Sequence, residues 1–112
     1  MKYIIPQDKL DNIVFKYLDT TLKRLEKRKS KYFEDIVFGY PDEEWGILGL
    51  QNDGTLFIYY ELIDEISSGF GLDINDSKSI IGRWVSDRYQ LEVRNTVDVF
   101  TRHHTLLAID TN

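Results

Sequence analysis

The sequence predicts a single α+β domain spanning residues 1–112, an antiparallel sheet with helices packed on one face. Three observations lead there. From residue 8 onward, apolar residues recur at three- and four-residue steps, as on an amphipathic helix. Three runs rich in aromatic and branched residues follow, separated by turn signals, which is how a strand meander reads. Two further helical patterns and a last alternating run come after, so helices and strands fall in blocks. With 112 residues, 42% of them apolar and 13% aromatic, the chain can build one core without staples.

The first helix is expected over 8–28. Leu10, Ile13, Val14, Tyr17, Leu18, Leu22 and Leu25 share its apolar stripe, with Asp8 and Asp11 in the first turn. Lys27, Arg28 and Lys29 fall in the last turn, where positive charge suits the helix dipole. Residues 33–40 (FEDIVFGY), 44–50 (EWGILGL) and 55–60 (TLFIYY) read as the meander. Asp53-Gly54 is a strong hairpin signal, because a tight turn needs a positive φ that glycine adopts freely. These strands are apolar at nearly every position, as strands covered on both faces are.

ELIDEISSGFG, from Glu61, predicts a short helix with Leu62, Ile63 and Ile66 inward and Gly69 or Gly71 at its end. Residues 77–89 predict another, capped by Asp76 or Ser77, with Ile80, Ile81, Trp84, Val85 and Tyr89 on its apolar face. Residues 91–100 alternate as a strand, and 105–109 (TLLAI) are expected to pair back on it. The expected order is αβββααβ(β).

Charge is sorted along the chain. Residues 1–31 carry nine basic and four acidic groups, whereas 32–77 carry eleven acidic groups and nothing basic. Three readings follow. In the first, the basic helix end neutralises the acidic hairpin within the molecule, through pairs that individually contribute about 0–1 kcal/mol. In the second, the acidic surface faces a basic protein partner, a host factor or another copy of the chain, where complementary charge speeds encounter and selects partners. In the third, the basic strip binds nucleic acid phosphates.

Catalysis finds no motif. There is no cysteine, and so no disulfide, thiolate zinc site or cysteine nucleophile. No Gly-x-Ser-x-Gly elbow, phosphate loop or dinucleotide fingerprint occurs. DINDSKS (73–79) has acids at alternating positions, but Lys78 and Trp84 stand where a calcium loop needs Gly and Glu. His103 and His104 are adjacent and would point to opposite faces of a strand, unsuited to sharing a metal. Asp42, Glu43 and Glu44 beside Pro41 read as a solvated turn. No enzyme, cofactor or metal is therefore expected. The first fifteen residues lack the apolar run of about 7–15 residues that a secretion signal needs, and no run could span a membrane, so a cytoplasmic location is expected.

YIIP, KYLD, NDGTLFIYYELIDEISS and DSKSIIGRWVSDRYQLEV give residues 1–95 a likeness. The chain resembles short uncharacterised proteins encoded by tailed phages and found in marine metagenomes. The resemblance implies a phage accessory protein in host cytoplasm, with no activity attached.

The expected function is non-enzymatic binding of another protein. The surface would comprise Asp42, Glu43, Glu44, Trp45, Asp53, Tyr59, Glu61, Asp64 and Glu65, whose carboxylates could imitate DNA phosphates and whose aromatics could anchor a partner. A homodimer through the meander's edge strand is a further expectation. The alternative is nucleic-acid binding through Lys23, Arg24, Lys27, Arg28, Lys29 and Lys31. Lys78, Arg83 and Arg88 would assist from a helix-turn-helix-like segment.

Overall fold

A computed structural model describes residues 7–33 and 35–110; Glu34, within the first expected strand, and the YIIP stretch lie outside them. The opening stripe is helical only in part. Helix α1 runs Gln7–Thr21, and its last turn holds no basic residue. Asp19, Thr20 and Thr21 are weak helix formers that favour turns. A turn follows, with the Leu22 N–H donating to Leu18 O at 2.8 Å and the Leu25 N–H to Leu22 O at 3.0 Å. Leu22 and Leu25 are still buried, so they keep the helical spacing after the chain has left the helix. Ile13, expected inward, is 47% exposed.

The basic residues expected to end that helix form strand β1 instead, Glu26–Lys29. It pairs antiparallel with β2 (Ile36–Gly39), which pairs with β3 (Leu48–Leu50), which pairs with β4 (Thr55–Tyr59). The expected hairpin forms, with Gly54 at φ 90° and its N–H donating to Gln51 O at 3.0 Å. Helix α2 (Tyr60–Phe70) follows β4 directly and ends at Gly71, where φ is 66°. Helix α3 spans Ile74–Tyr89. Its cap is Asp73, whose carboxylate accepts the Asp76 N–H at 2.7 Å, rather than Asp76 or Ser77. Ser77 is buried, its hydroxyl donating to Asp73 O at 2.8 Å.

Strand β5 (Asn95–Val99) corrects the expected topology. It pairs parallel with β4, making a five-stranded mixed sheet in the order β1-β2-β3-β4-β5. Parallel neighbours need a crossover, and α2 with α3 is that crossover. The meander strands β2 to β4 therefore have neighbours on both sides, and none offers the edge expected to join two copies. Residues 105–109 do not pair with β5 either. They form a one-turn 3-10 helix, Thr105–Leu107, and two isolated bridges, Ala108 with Trp45 and Ile109 with Ser30.

The near-continuous apolar strands are explained by two covered faces. Phe38, Leu48 and Ile58 lie in register across β2, β3 and β4 and pack into the core with Leu18, Ile63, Ile81 and Trp84 from the helices. Val37, Gly49 and Phe57, one position along, point the other way. There Leu107, Ala108 and Ile109 are buried. A Cβ on Gly46 would lie 2.4 Å from Val37 Cγ1 and 2.7 Å from Phe38 O, so this close approach of backbones requires glycine.

Candidate functional site

The parallel pairing of β4 and β5 gathers one end of the sheet into a surface. Tyr59 and Val99 are register partners, so Tyr60 and Phe100 emerge together, ring centroids 5.1 Å apart. The Tyr59 N–H donates to Ile47 O at 2.9 Å, which brings residues 43–47 to the same end. The Trp45 and His103 rings meet at a 48° tilt with centroids 5.2 Å apart, and Arg102 pairs with Glu43 while donating to Trp45 O at 2.7 Å. Glu43, Glu44, Trp45, Arg102 and His103 line a shallow cleft of about 240 Å³.

Among the expected protein-binding residues, Asp42, Glu43, Glu44, Trp45, Tyr59 and Glu61 lie at this end. Asp64 and Glu65 continue on the exposed side of α2. Asp53 does not belong. It sits at the hairpin tip, beyond the opposite end of β4, where its carboxylate accepts the Thr55 N–H at 2.9 Å and is held below its usual pKa chiefly by that bond. Burial, then the Glu61 charge, raises the Tyr59 phenol, so its hydroxyl stays protonated at neutral pH. Glu65 lies beside Tyr17, whose phenol is raised first by burial and further by that carboxylate. Tyr60 follows Tyr59 directly, whereas Phe100, Arg102 and His103 were not expected in this site and come to it after the parallel β5.

The charge readings are separated by the ion pairs. Lys78 meets Asp98 at 3.6 Å, Arg83 meets Asp11 at 2.9 Å and Arg88 meets Asp19 at 3.3 Å. Arg94 holds Glu92 at 3.0 Å, and Arg102 holds Glu43. Among the described residues, no ion pair joins the basic stretch 16–31 to the acidic stretch 32–77.

The helix-turn-helix-like outline forms as α2, a turn at Gly71, α3 and β5. Lys78, Arg83 and Arg88 are each bound to a carboxylate, and α2–α3 form a crossover between parallel strands instead of leading into a wing. Lys23, Arg24, Lys27, Lys29 and Lys31 are exposed on the turn and on β1 rather than at a helix end. Arg28 turns inward and donates to Tyr40 O at 3.1 Å and Pro41 O at 3.3 Å. Tyr32 and Phe33 beside them are 57% and 43% exposed, and Lys31 Nζ lies 5.6 Å from the Tyr32 ring centroid. No helix among the described residues is long and apolar enough to cross a membrane. The chain matches no family model, no curated protein and no solved structure.

Proposed function

We propose that this is a non-enzymatic accessory protein, of the kind a phage directs at its host, that binds another protein through the acidic end of its sheet. One observation carries the reading: Asp42, Glu43, Glu44 and Glu61 share the sheet end with half-buried Trp45, Tyr59 and Tyr60, Asp64 and Glu65 extend the acidic surface along α2, and of these six carboxylates only Glu43 is engaged by a cation. Uncompensated charge of one sign beside aromatic anchors suits a basic protein surface, with the charge guiding encounter and the rings supplying contact area. Replacing Glu44, Glu61, Asp64 and Glu65 together by Lys is expected to abolish capture of a partner from bacterial lysate. Replacing Lys27 and Lys29 by Glu should leave that capture intact. Capture that survives the acidic reversal refutes the reading.

A second reading rests on a separate observation. The uncompensated lysines of β1 lie next to exposed Tyr32 and Phe33, the pairing of charge and stacking surface that single-stranded nucleic acid uses. It predicts a salt-sensitive mobility shift with single-stranded DNA, lost when Lys27, Lys29 and Lys31 become Glu. No shift at low salt excludes it.

A further inference from the structure

The two outer strands of the sheet are treated differently. On β1, Lys27 and Lys29 expose their side chains, and lysine is a common guard against edge pairing. The far end of β1 is also sealed: the Asp110 N–H donates to Lys29 O at 3.0 Å, and the Lys31 N–H to Ala108 O at 2.9 Å. Strand β5 has neither protection. It reads Asn-Thr-Val-Asp-Val, without Lys, Arg or Pro, and no described residue pairs with its outer side. Its one charge, Asp98, is held by Lys78 of α3 at 3.6 Å. Beside it runs a groove of about 550 Å³, lined by Gly82 and Arg83 of α3 and by Arg94, Asn95 and Thr96.

The hydrogen-bond phase fixes which groups the open edge presents. The Asn95 N–H donates to Gly54 O at 3.3 Å, so Asn95, Val97 and Val99 direct their backbones at β4. Alternation turns the N–H and C=O of Thr96 and Asp98 outward. Two such strands run antiparallel about a two-fold axis at Val97 would set each Thr96 against Asp98 of the second copy. Both Thr96–Asp98 pairs are then hydrogen-bonded pairs, and all four outward donors find acceptors. The same register sets Arg94 against Phe100. Phe100 is 73% exposed, with the Tyr60 ring tilted against it at 5.1 Å, and a guanidinium over its ring would make a cation–π contact.

We propose that β5 is a homodimer seam, joining two copies antiparallel through Asn95–Val99 into one continuous sheet. Such an interface is isologous, each copy offering the same patch. An unrelated extended peptide could match the backbone groups, but the Arg94–Phe100 and Thr96–Asp98 pairings follow from the chain's own sequence. The seam borders the acidic surface at Phe100 and Tyr60, but it rests on the backbone groups of β5 and not on those carboxylates.

The chain has no cysteine, so one introduced thiol reports cleanly. Val97 would face its own copy as a non-hydrogen-bonded pair with Cα atoms about 4.5 Å apart, within disulfide reach. Val97→Cys should therefore oxidise almost wholly to a covalent dimer, while Asp53→Cys at the hairpin tip should not. Light scattering should give a dimer for the parent protein and a monomer for Thr96→Pro, which removes an outward donor; circular dichroism checks that this variant folds. If it does not fold, the cysteine comparison decides alone. A parent protein monomeric at every accessible concentration, or a dimer in which Val97→Cys links no better than Asp53→Cys, overturns the proposal.

Discussion

Asp19 fastens α1 to α3 through two donors, and removing it tests how the basic residues of α3 are employed. Its Oδ1 accepts from Trp84 Nε1 at 2.9 Å and from Arg88 Nη1 at 3.3 Å. Trp84 is only 1% exposed, so Asp19→Ala leaves its indole N–H without its acceptor. An unsatisfied buried donor costs about 1–3 kcal/mol. The Asp19 side chain is itself 51% exposed, which lets water take its place and sets the loss at the low end, about 1 kcal/mol. The Arg88 pair lies at the surface and adds a few tenths, roughly 0–1 kcal/mol. In a Trp84→Phe background the donor is already gone, and only the Arg88 contribution should remain. Urea unfolding followed by far-ultraviolet circular dichroism on the parent, both single variants and the double variant measures the difference. The expected coupling is about 1 kcal/mol, a midpoint shift of roughly 1 M or less. Asp19→Ala costing the same in both backgrounds would refute the reasoning.

Two further outcomes probe the rest of the fold. Leu107→Ala should cost about 2–5 kcal/mol, because Leu107 is fully buried against the sheet face that the helices do not cover. A melting temperature lowered by about 10 °C or more checks it, and an unchanged one would mean the segment 105–109 contributes no core. Asp53 has a depressed folded pKa, so its stabilising effect is fully present above the unfolded value of about 3.9 and is lost as pH falls through the lower folded value. The stability gap between the parent and Asp53→Asn should narrow as the solution is acidified below about pH 4; a gap constant with pH removes the carboxylate's role in the hairpin.

Local signals were legible where one short stretch decides the outcome. Asp53-Gly54 turns the hairpin, Gly71 ends α2, and the faces of α2 and α3 bury the expected Leu62, Ile63, Ile66, Ile80, Ile81, Trp84 and Val85. The end of α1 was not legible, because Leu22 and Leu25 preserve helical spacing while the backbone turns. The direction of β5 was hidden for a different reason. Its alternating pattern is the same whether it pairs parallel or antiparallel, and only the length of the α2–α3 crossover distinguishes them. Much of the site depended on that direction. Asp42, Glu43, Glu44, Trp45, Tyr59 and Glu61 lie at one end of the sheet with Tyr60, whereas Phe100, Arg102 and His103 join them through the parallel register. Asp53 is excluded by simple geometry, being at the other end of a strand.

The sorted charges have a structural logic once the ion pairs are known. The basic groups after residue 77 all meet carboxylates: Lys78, Arg83 and Arg88 tie α3 to β5 and α1, Arg94 holds Glu92, and Arg102 holds Glu43. The lysines of β1 and, apart from Glu43, the carboxylates of 42–44 and 61–65 take no part in these pairs. The lysines of β1 occupy a sheet edge, where charge discourages unwanted strand addition. The carboxylates of 42–44 and 61–65 occupy the end of the sheet where aromatic rings also emerge. If edge protection were the whole purpose of the basic stretch, reversing Lys27 and Lys29 to Glu would conserve protection and leave behaviour unchanged. An acidic surface at the sheet end protects no edge, because β2, β3 and β4 there are already paired on both sides. Apart from Glu43, no cation of the described residues answers that charge, and the proposed protein partner would supply the missing positive surface.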